Sequence, residues 1–407
     1  MGNSTEGVAF SLNDSRFQSS PGEVMAELRE KCPVHFSEVP SAYFTISRGN
    51  DVMNALRDEM TWSSIYGPGL AYNKSGDGVL VSSDPPEHTR ERLAISRIFQ
   101  PSAINKMEDD IRSLTNQLID GFGEKNACDL IKDYAMPIPL TVMCWLLGTP
   151  IEDIDRFRRW VLPMAEAVAY SGGREASDEV RLAYSNFFEY FGSHITKRAN
   201  TLSSGAMVPD DLLTQLLTVE RGNERLTHKE ILGFCQFLLV AGSATTTLLI
   251  GNAVYRLLEF PEQMQKLQKK RDLLPNVIEE SLRYDAPVHG LFRTNTCPVT
   301  LHNVDIPSNS KVYMMFGSAN RDSDLWEDPD EFNISRKLDD LKRHTAFGVG
   351  THYCLGAPLA RLEATIALQT LLTRLPSMSL NGTPKNVKAE VLNGFEELPV
   401  SWGDRPK

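Results

Sequence analysis

The chain has 407 residues, 41% of them apolar, which is enough to bury a large core. Its net charge of −11 argues against a nucleic-acid partner, and its 23% charged residues suit a soluble globular protein. The cysteines Cys32, Cys128, Cys144, Cys235, Cys297 and Cys354 show no CxxC pair and no zinc-type spacing, so a reduced, cytoplasmic setting is expected. No segment reads as the roughly 20 apolar residues of a membrane span. Residues 1–13 carry no signal-peptide core.

In chain order, Pro21–Cys32 predicts a short amphipathic helix, and Val34–Ser37 and Ala42–Ser47 predict strands. Asn50 predicts the cap of a helix ending at Arg57. From Thr61 to Leu80 the periodicity fails. Glycines and Pro68 alternate there with Trp62, Tyr66, Leu70 and Tyr72, which reads as a lid or binding loop, or as surface padding. Ser83 to Arg92 leads into a helix running to about Phe99. His88 and Arg92, four apart, share a helix face that can hold a carboxylate or be merely solvated.

Pro101 to about Val219 is helical in pattern, with breaks near Gly121–Asn126, Gly148–Pro150, Gly172–Gly173 and Ser203–Pro209. Its apolar stretch Phe157–Tyr170, which includes Val168, reads as core. Thr227 to about Phe260 predicts the longest helix. In its middle, bulky residues through Leu238 give way to Ala241, Gly242, Ser243 and Ala244, so a small or flat group can approach the backbone. Thr245 faces the same gap; the alternative is a helix crossing, with Thr245 bonding back to the Ala241 carbonyl. Glu280 and Arg283 lie one turn apart on a helix predicted over Pro275–Tyr284 and can pair. Val299 to Met315 alternates like a small sheet, and Val391 to Leu398 reads as a turn presenting Leu392 and Phe395.

The stretch Phe347-Gly348-Val349-Gly350-Thr351-His352-Tyr353-Cys354-Leu355-Gly356 places one cysteine in a glycine-rich loop directly before a helix-forming run. A thiolate there is stabilised by the helix dipole and free backbone N–H groups. Held rigidly and shielded from water, such a sulfur suits axial ligation of haem iron. A lone cysteine of this kind is otherwise a small buried hydrophobe.

This loop resembles the haem-binding signature of the cytochrome P450 family, Phe-x-x-Gly-x-x-x-Cys-x-Gly, and the likeness extends from about residue 20 to the C-terminus. The resemblance implies a mainly α fold with a small β part, forming a single haem domain over 1–407 without a fused reductase. It assigns Cys354 to the iron of haem b, with Phe347, Gly348 and Gly356 shaping the loop. His88, Arg92, Arg293 and His352 are assigned to the haem propionates.

Ala241-Gly242-x-Ala244-Thr245 is similar to the family's oxygen-activating helix, with one departure: Ala244 stands where the family carries an acid that relays protons. Thr245 keeps its role, and slower proton delivery or uncoupling to peroxide is expected. Glu280, Arg283 and Arg336 are implied as structural support. Leu70, Tyr72, Val168, Leu238, His289, Leu291, Phe292 and Phe395 are expected to line an apolar substrate pocket. The implied activity is a monooxygenase that uses O2 and takes electrons from a separate ferredoxin and ferredoxin reductase. It is expected to be a cytoplasmic monomer with a small-to-medium apolar organic substrate, free or carrier-bound, and no membrane or nucleic-acid partner. A peroxide-driven oxygenase and a non-catalytic haem-thiolate binder are the rival readings.

Overall fold

A computed structural model describes residues 8–72, 78–169, 176–221, 224–375, 377–388 and 390–403. The helices that build the site are α1 (Glu87–Ser96), α2 (Pro137–Leu147), α3 (Ile154–Ala169), α4 (Asp178–Ser203), α5 (His228–Glu259), α6 (Leu274–Tyr284) and α7 (Ala357–Arg374). The spine is α5, which packs against α2, α3, α4, α6 and α7. Its start is fixed by a capping box: the Thr227 hydroxyl accepts from the Glu230 N–H, while the Glu230 carboxylate accepts from the Thr227 N–H.

Contrary to the sequence reading, α5 is long and apolar enough to cross a membrane, the one such helix among the described residues. Its neighbours bury 78% of its most apolar window, so the hydrophobicity serves the core.

The main sheet has the order β1 (Val34–Ser37), β2 (Tyr43–Ile46), β5 (Lys311–Met314), β4 (Leu291–Asn295), β3 (Trp62–Ser63). All neighbours pair antiparallel except β2 and β5, which run parallel with Thr45 opposite Tyr313. A second apolar cluster, including Ile46, Val52, Trp62 and Val312, backs this sheet beside the main helical core.

Two local expectations change. Asn50 does not cap its helix, which starts at Gly49; there the Asp322 carboxylate accepts the Gly49 N–H at 2.7 Å. A distant side chain does the capping, which no local pattern shows. Residues Ala127–Asp129, inside the stretch read as helical, form a strand against Pro399–Ser401. The break expected at Gly172–Gly173 lies outside the described residues.

Candidate active site

A cavity of about 260 Å3 opens between α5 and the loop that precedes α7. The loop is shaped by Gly348 and Gly350, at φ +69° and +75°, where an L side chain is strained. At Gly350 a Cβ would also meet the Leu56 carbonyl at 2.8 Å. The Cys354 N–H donates to the Phe347 carbonyl at 2.8 Å, folding the loop back on itself. Cys354 lines the cavity and is exposed in it. Burial pushes the thiol pKa up, against the opposing pull of the Gly356 N–H, the Arg92 charge and the Ala357 N–H. Coordination to a metal ion would release the thiol proton and relieve that desolvation.

Basic groups gather at one edge of the cavity. His88 and His352 lie with ring centroids 4.2 Å apart, and Arg92 and Arg293 line the same space. Burial, then repulsion from Arg293, His88 and Arg92, presses the His352 pKa down to about 2. Burial presses Arg293 to about 10, with Asp84 pulling the other way. The His352 Nε2 lies 3.1 Å from the Ser64 hydroxyl, while Asp84 is taken up by the Ser63 hydroxyl and the Ser64 N–H at 2.5 and 2.8 Å. His88 Nδ1 is buried without a partner among the described residues. Clustered bases with an orphaned donor and mutual repulsion form a site for an anionic group.

The opposite wall is α5, where Leu238, Ala241, Gly242 and Thr245 all face the cavity. The Thr245 hydroxyl donates to the Ala241 carbonyl at 2.8 Å. Gly242 has an additional reason to be small. A Cβ there would come within 2.8 Å of Met143 Sδ, so α2 fills part of the gap that the sequence reading left to a ligand. Ala244 faces the other side of α5 and is buried away from the cavity.

Several residues expected in the substrate pocket lie elsewhere. In β4, Leu291 and Arg293 point into the cavity, so alternation turns Phe292 to the far face, edge-on to Tyr43 at 5.5 Å. His289 lies before the strand and is turned away from the cavity, with its ring 5.3 Å from Phe17. Tyr72 is half-exposed, its hydroxyl donating to the Asn309 carbonyl and its ring under Lys311. Lys311 is itself buried and donates to the carbonyls of Tyr66 and Gly67, both at 3.0 Å. Leu70 is held in the core beside that anchored loop. Phe395 packs on Tyr255 at 4.6 Å, across α5 from the cavity, and Leu392 turns to another cleft. The side chain of Val168 lies outside the described residues. Of the expected pocket residues, Leu238 and Leu291 face the cavity.

Glu280 and Arg283 have no solvent exposure and form a bidentate pair at 2.7 and 2.9 Å. Arg336 reaches Glu280 at 3.3 Å, and Arg283 also donates to the carbonyls of Asn320, Pro329 and Glu331. The cluster fastens α6 to the segment that leads into the cysteine loop.

Sequence reasoning missed Leu80, Val81, Phe237 and Glu363, all of which line the cavity. Glu363 is buried, its Oε2 has no partner among the described residues, and burial raises its pKa well above the usual carboxylate range. Its signal was available: it interrupts the buried stripe of α7 between Leu359 and Ile366.

No group of three His, Cys, Asp or Glu among the described residues can hold a metal ion. One exposed sulfur facing the cavity, an anion-binding edge and an apolar roof therefore fit a metal carried by a macrocycle with acidic side arms. Haem has that chemistry.

The cytochrome P450 family profile matches residues 169–392. Cytochrome P450 109 from Bacillus spizizenii is 35% identical over 402 residues, covering 96% of this chain and 93% of that protein. Cyclomarin C epoxidase CymV from Salinispora arenicola is 32% identical over 384 residues, covering 92% and 93%. The solved structure of CYP109E1 from Bacillus megaterium in complex with testosterone matches with a TM-score of 0.85 at 31% identity, covering 95% of this chain and 98% of that one.

Proposed function

This chain belongs to the cytochrome P450 family of haem-dependent monooxygenases, and we propose that it inserts one oxygen atom from O2 into a small-to-medium apolar organic substrate. The observation that carries this reading is the cavity itself: Cys354 at one wall, the His88–Arg92–Arg293–His352 cluster at its edge, and Leu238, Ala241 and Thr245 opposite. Bound haem supplies the oxygen activation and atom transfer.

Each residue then has a physical task. Cys354 would hold the iron through Sγ, and the two histidines and two arginines would take up the propionates. The apolar side chains Leu238, Leu249 and Leu291 exclude water and favour an apolar substrate over a polar one. Thr245 Oγ1 carries a proton at the cavity wall, parked on the Ala241 carbonyl and free to turn toward a substrate-side acceptor. The solved complex of CYP109E1 with testosterone supports an apolar ligand of that size class.

Electrons would come from a separate ferredoxin and its reductase, with the enzyme working as a cytoplasmic monomer. Of the cations near the cysteine loop in sequence, Lys342 and Arg343 are well exposed and only loosely paired with Asp339 and Asp340, at 3.7 and 3.8 Å. Arg361 is committed to Glu279 at 2.6 Å and holds structure instead. An acidic donor would therefore use Lys342 and Arg343.

The test is turnover under 18O2 with a ferredoxin–reductase pair and NAD(P)H, on compounds chosen by a low-spin to high-spin shift of the ferric protein. One labelled oxygen in the product is expected. Product formed only when hydrogen peroxide is added, with no label from 18O2, would favour the peroxide-driven reading, which the missing acid at Ala244 supports.

A further inference from the structure

The wall of the haem cavity includes one residue in a conformation that its type resists. Leu80 has φ +50°, in the left-handed region. The other non-glycine residues at positive φ among the described residues are Asn126, His302, Asn303, Asn309 and Asp328, types that tolerate it. Leu80 is apolar and buried, and with Val81 it lines the cavity. A left-handed leucine stores backbone strain, so its surroundings must hold it there.

Both peptide planes that flank the Leu80 Cα are pinned. The Leu80 N–H donates to Glu91 Oε2 at 2.7 Å, and the Leu80 carbonyl accepts from the Ser83 N–H at 3.1 Å. The Ser83 hydroxyl joins the two: it lies 3.0 Å from that carbonyl and donates its one proton to Glu91 Oε2 at 2.5 Å. Glu91 belongs to the buried stripe His88, Glu91, Ile95 of α1, so its carboxyl is turned inward. Burial pushes its pKa up, and the bonds from Ser83 and the Leu80 N–H pull the other way. The helix that brings His88 and Arg92 to the cavity therefore also clamps one of the cavity's apolar walls.

We propose that Glu91 is a positioning residue for ligand selection: by holding Leu80 left-handed it fixes the Leu80–Val81 wall, and with it the fit of an apolar substrate. This rests on the haem-monooxygenase reading for what fills the cavity. No chemical step passes through Glu91.

Two measurements test this, and neither needs turnover. A crystal structure of haem-loaded Glu91→Leu is expected to show Leu80 at negative φ, with its side chain displaced from the cavity. A Leu80 still left-handed and in place would overturn the proposal. Absorbance titrations of the ferric protein with imidazole and 4-phenylimidazole supply the second readout. Glu91→Leu should weaken 4-phenylimidazole about fivefold relative to imidazole, because the phenyl ring loses a fixed apolar wall. Glu91→Gln, whose amide oxygen can accept both bonds, should keep the parental ratio. In a Leu80→Gly background, adding Glu91→Leu should change the ratio no further, because the residue it acts through is gone. Equal weakening of both azoles, or an effect of Glu91→Leu that persists beside Leu80→Gly, would reduce Glu91 to a general structural role. Should Glu91→Leu not fold, Ser83→Ala removes the bridge alone and is put to the same ratio test, with an unchanged ratio counting against the clamp. A haem-loaded parent whose spectrum shifts with neither azole would sink the haem site itself, and the proposal with it.

Discussion

Glu279 and Glu363 are both buried carboxyl groups near the cysteine loop, and their surroundings drive them in opposite directions. Burial raises the pKa of Glu279, but bonds from Arg361 at 2.6 and 2.9 Å and from His344 at 3.1 Å overcome it and hold the group at about 2. Its ordinary value is 4.5, so its charged form contributes on the order of 3 kcal/mol of stability at neutral pH. The folded value is depressed, so this contribution is complete above the ordinary value and disappears as pH falls toward about 2. Glu279→Gln should therefore lose about 3 kcal/mol at pH 7 and much less at pH 3, measured by urea unfolding at both. Glu363, kept neutral by burial, is mimicked by an amide; Glu363→Gln should cost less than about 1 kcal/mol at pH 7. The stripe of α7 marks Glu363 as buried, but nothing in the sequence marks Glu279, because its partners His344 and Arg361 come from other parts of the chain. At the chemical centre, Thr245→Ala removes the hydroxyl at the cavity wall. Product formed per NAD(P)H should fall at least about tenfold, with peroxide taking up the difference.

At the level of elements, α5 carries both the chemistry and the core, and its glycine shows how closely the two are joined. Gly242 accommodates Met143 of α2, so Gly242→Ala places a Cβ 2.8 Å from Met143 Sδ. The methionine end is flexible, so a loss of roughly 1–2 kcal/mol is expected, and Met143→Ala in the same chain should recover part of it. Non-additivity in that double-mutant cycle is the readout. The existence of α5, its start near Thr227 and its small-residue gap were legible in the sequence because they depend on local pattern. Which atoms fill the gap was not, because α2 is about a hundred residues away. The same limit explains the pocket residues. Alternation within β4 separates Leu291 from Phe292 once the strand is known, but His289 lies before that strand and packs on Phe17, far away in the chain, which no local pattern shows.

For the whole molecule, the buried Glu280–Arg283–Arg336 cluster fastens α6 to the chain that leads into the cysteine loop. Removing one partner leaves a buried charge uncompensated, so Arg283→Ala should lose about 3–5 kcal/mol or fail to retain haem. The motif spacing showed the Glu–Arg pair; the carbonyls of Asn320, Pro329 and Glu331 that complete the shell appear only in the fold. The central claim is that Cys354 binds the haem iron as its thiolate. Its direct test is the carbon monoxide difference spectrum of the reduced, freshly haem-loaded protein, beside that of Cys354→Ser. A thiolate-type carbonyl band in the parent that is lost in the variant is the predicted result. A parent loaded with haem but lacking that band, or a variant that keeps it, would contradict the account.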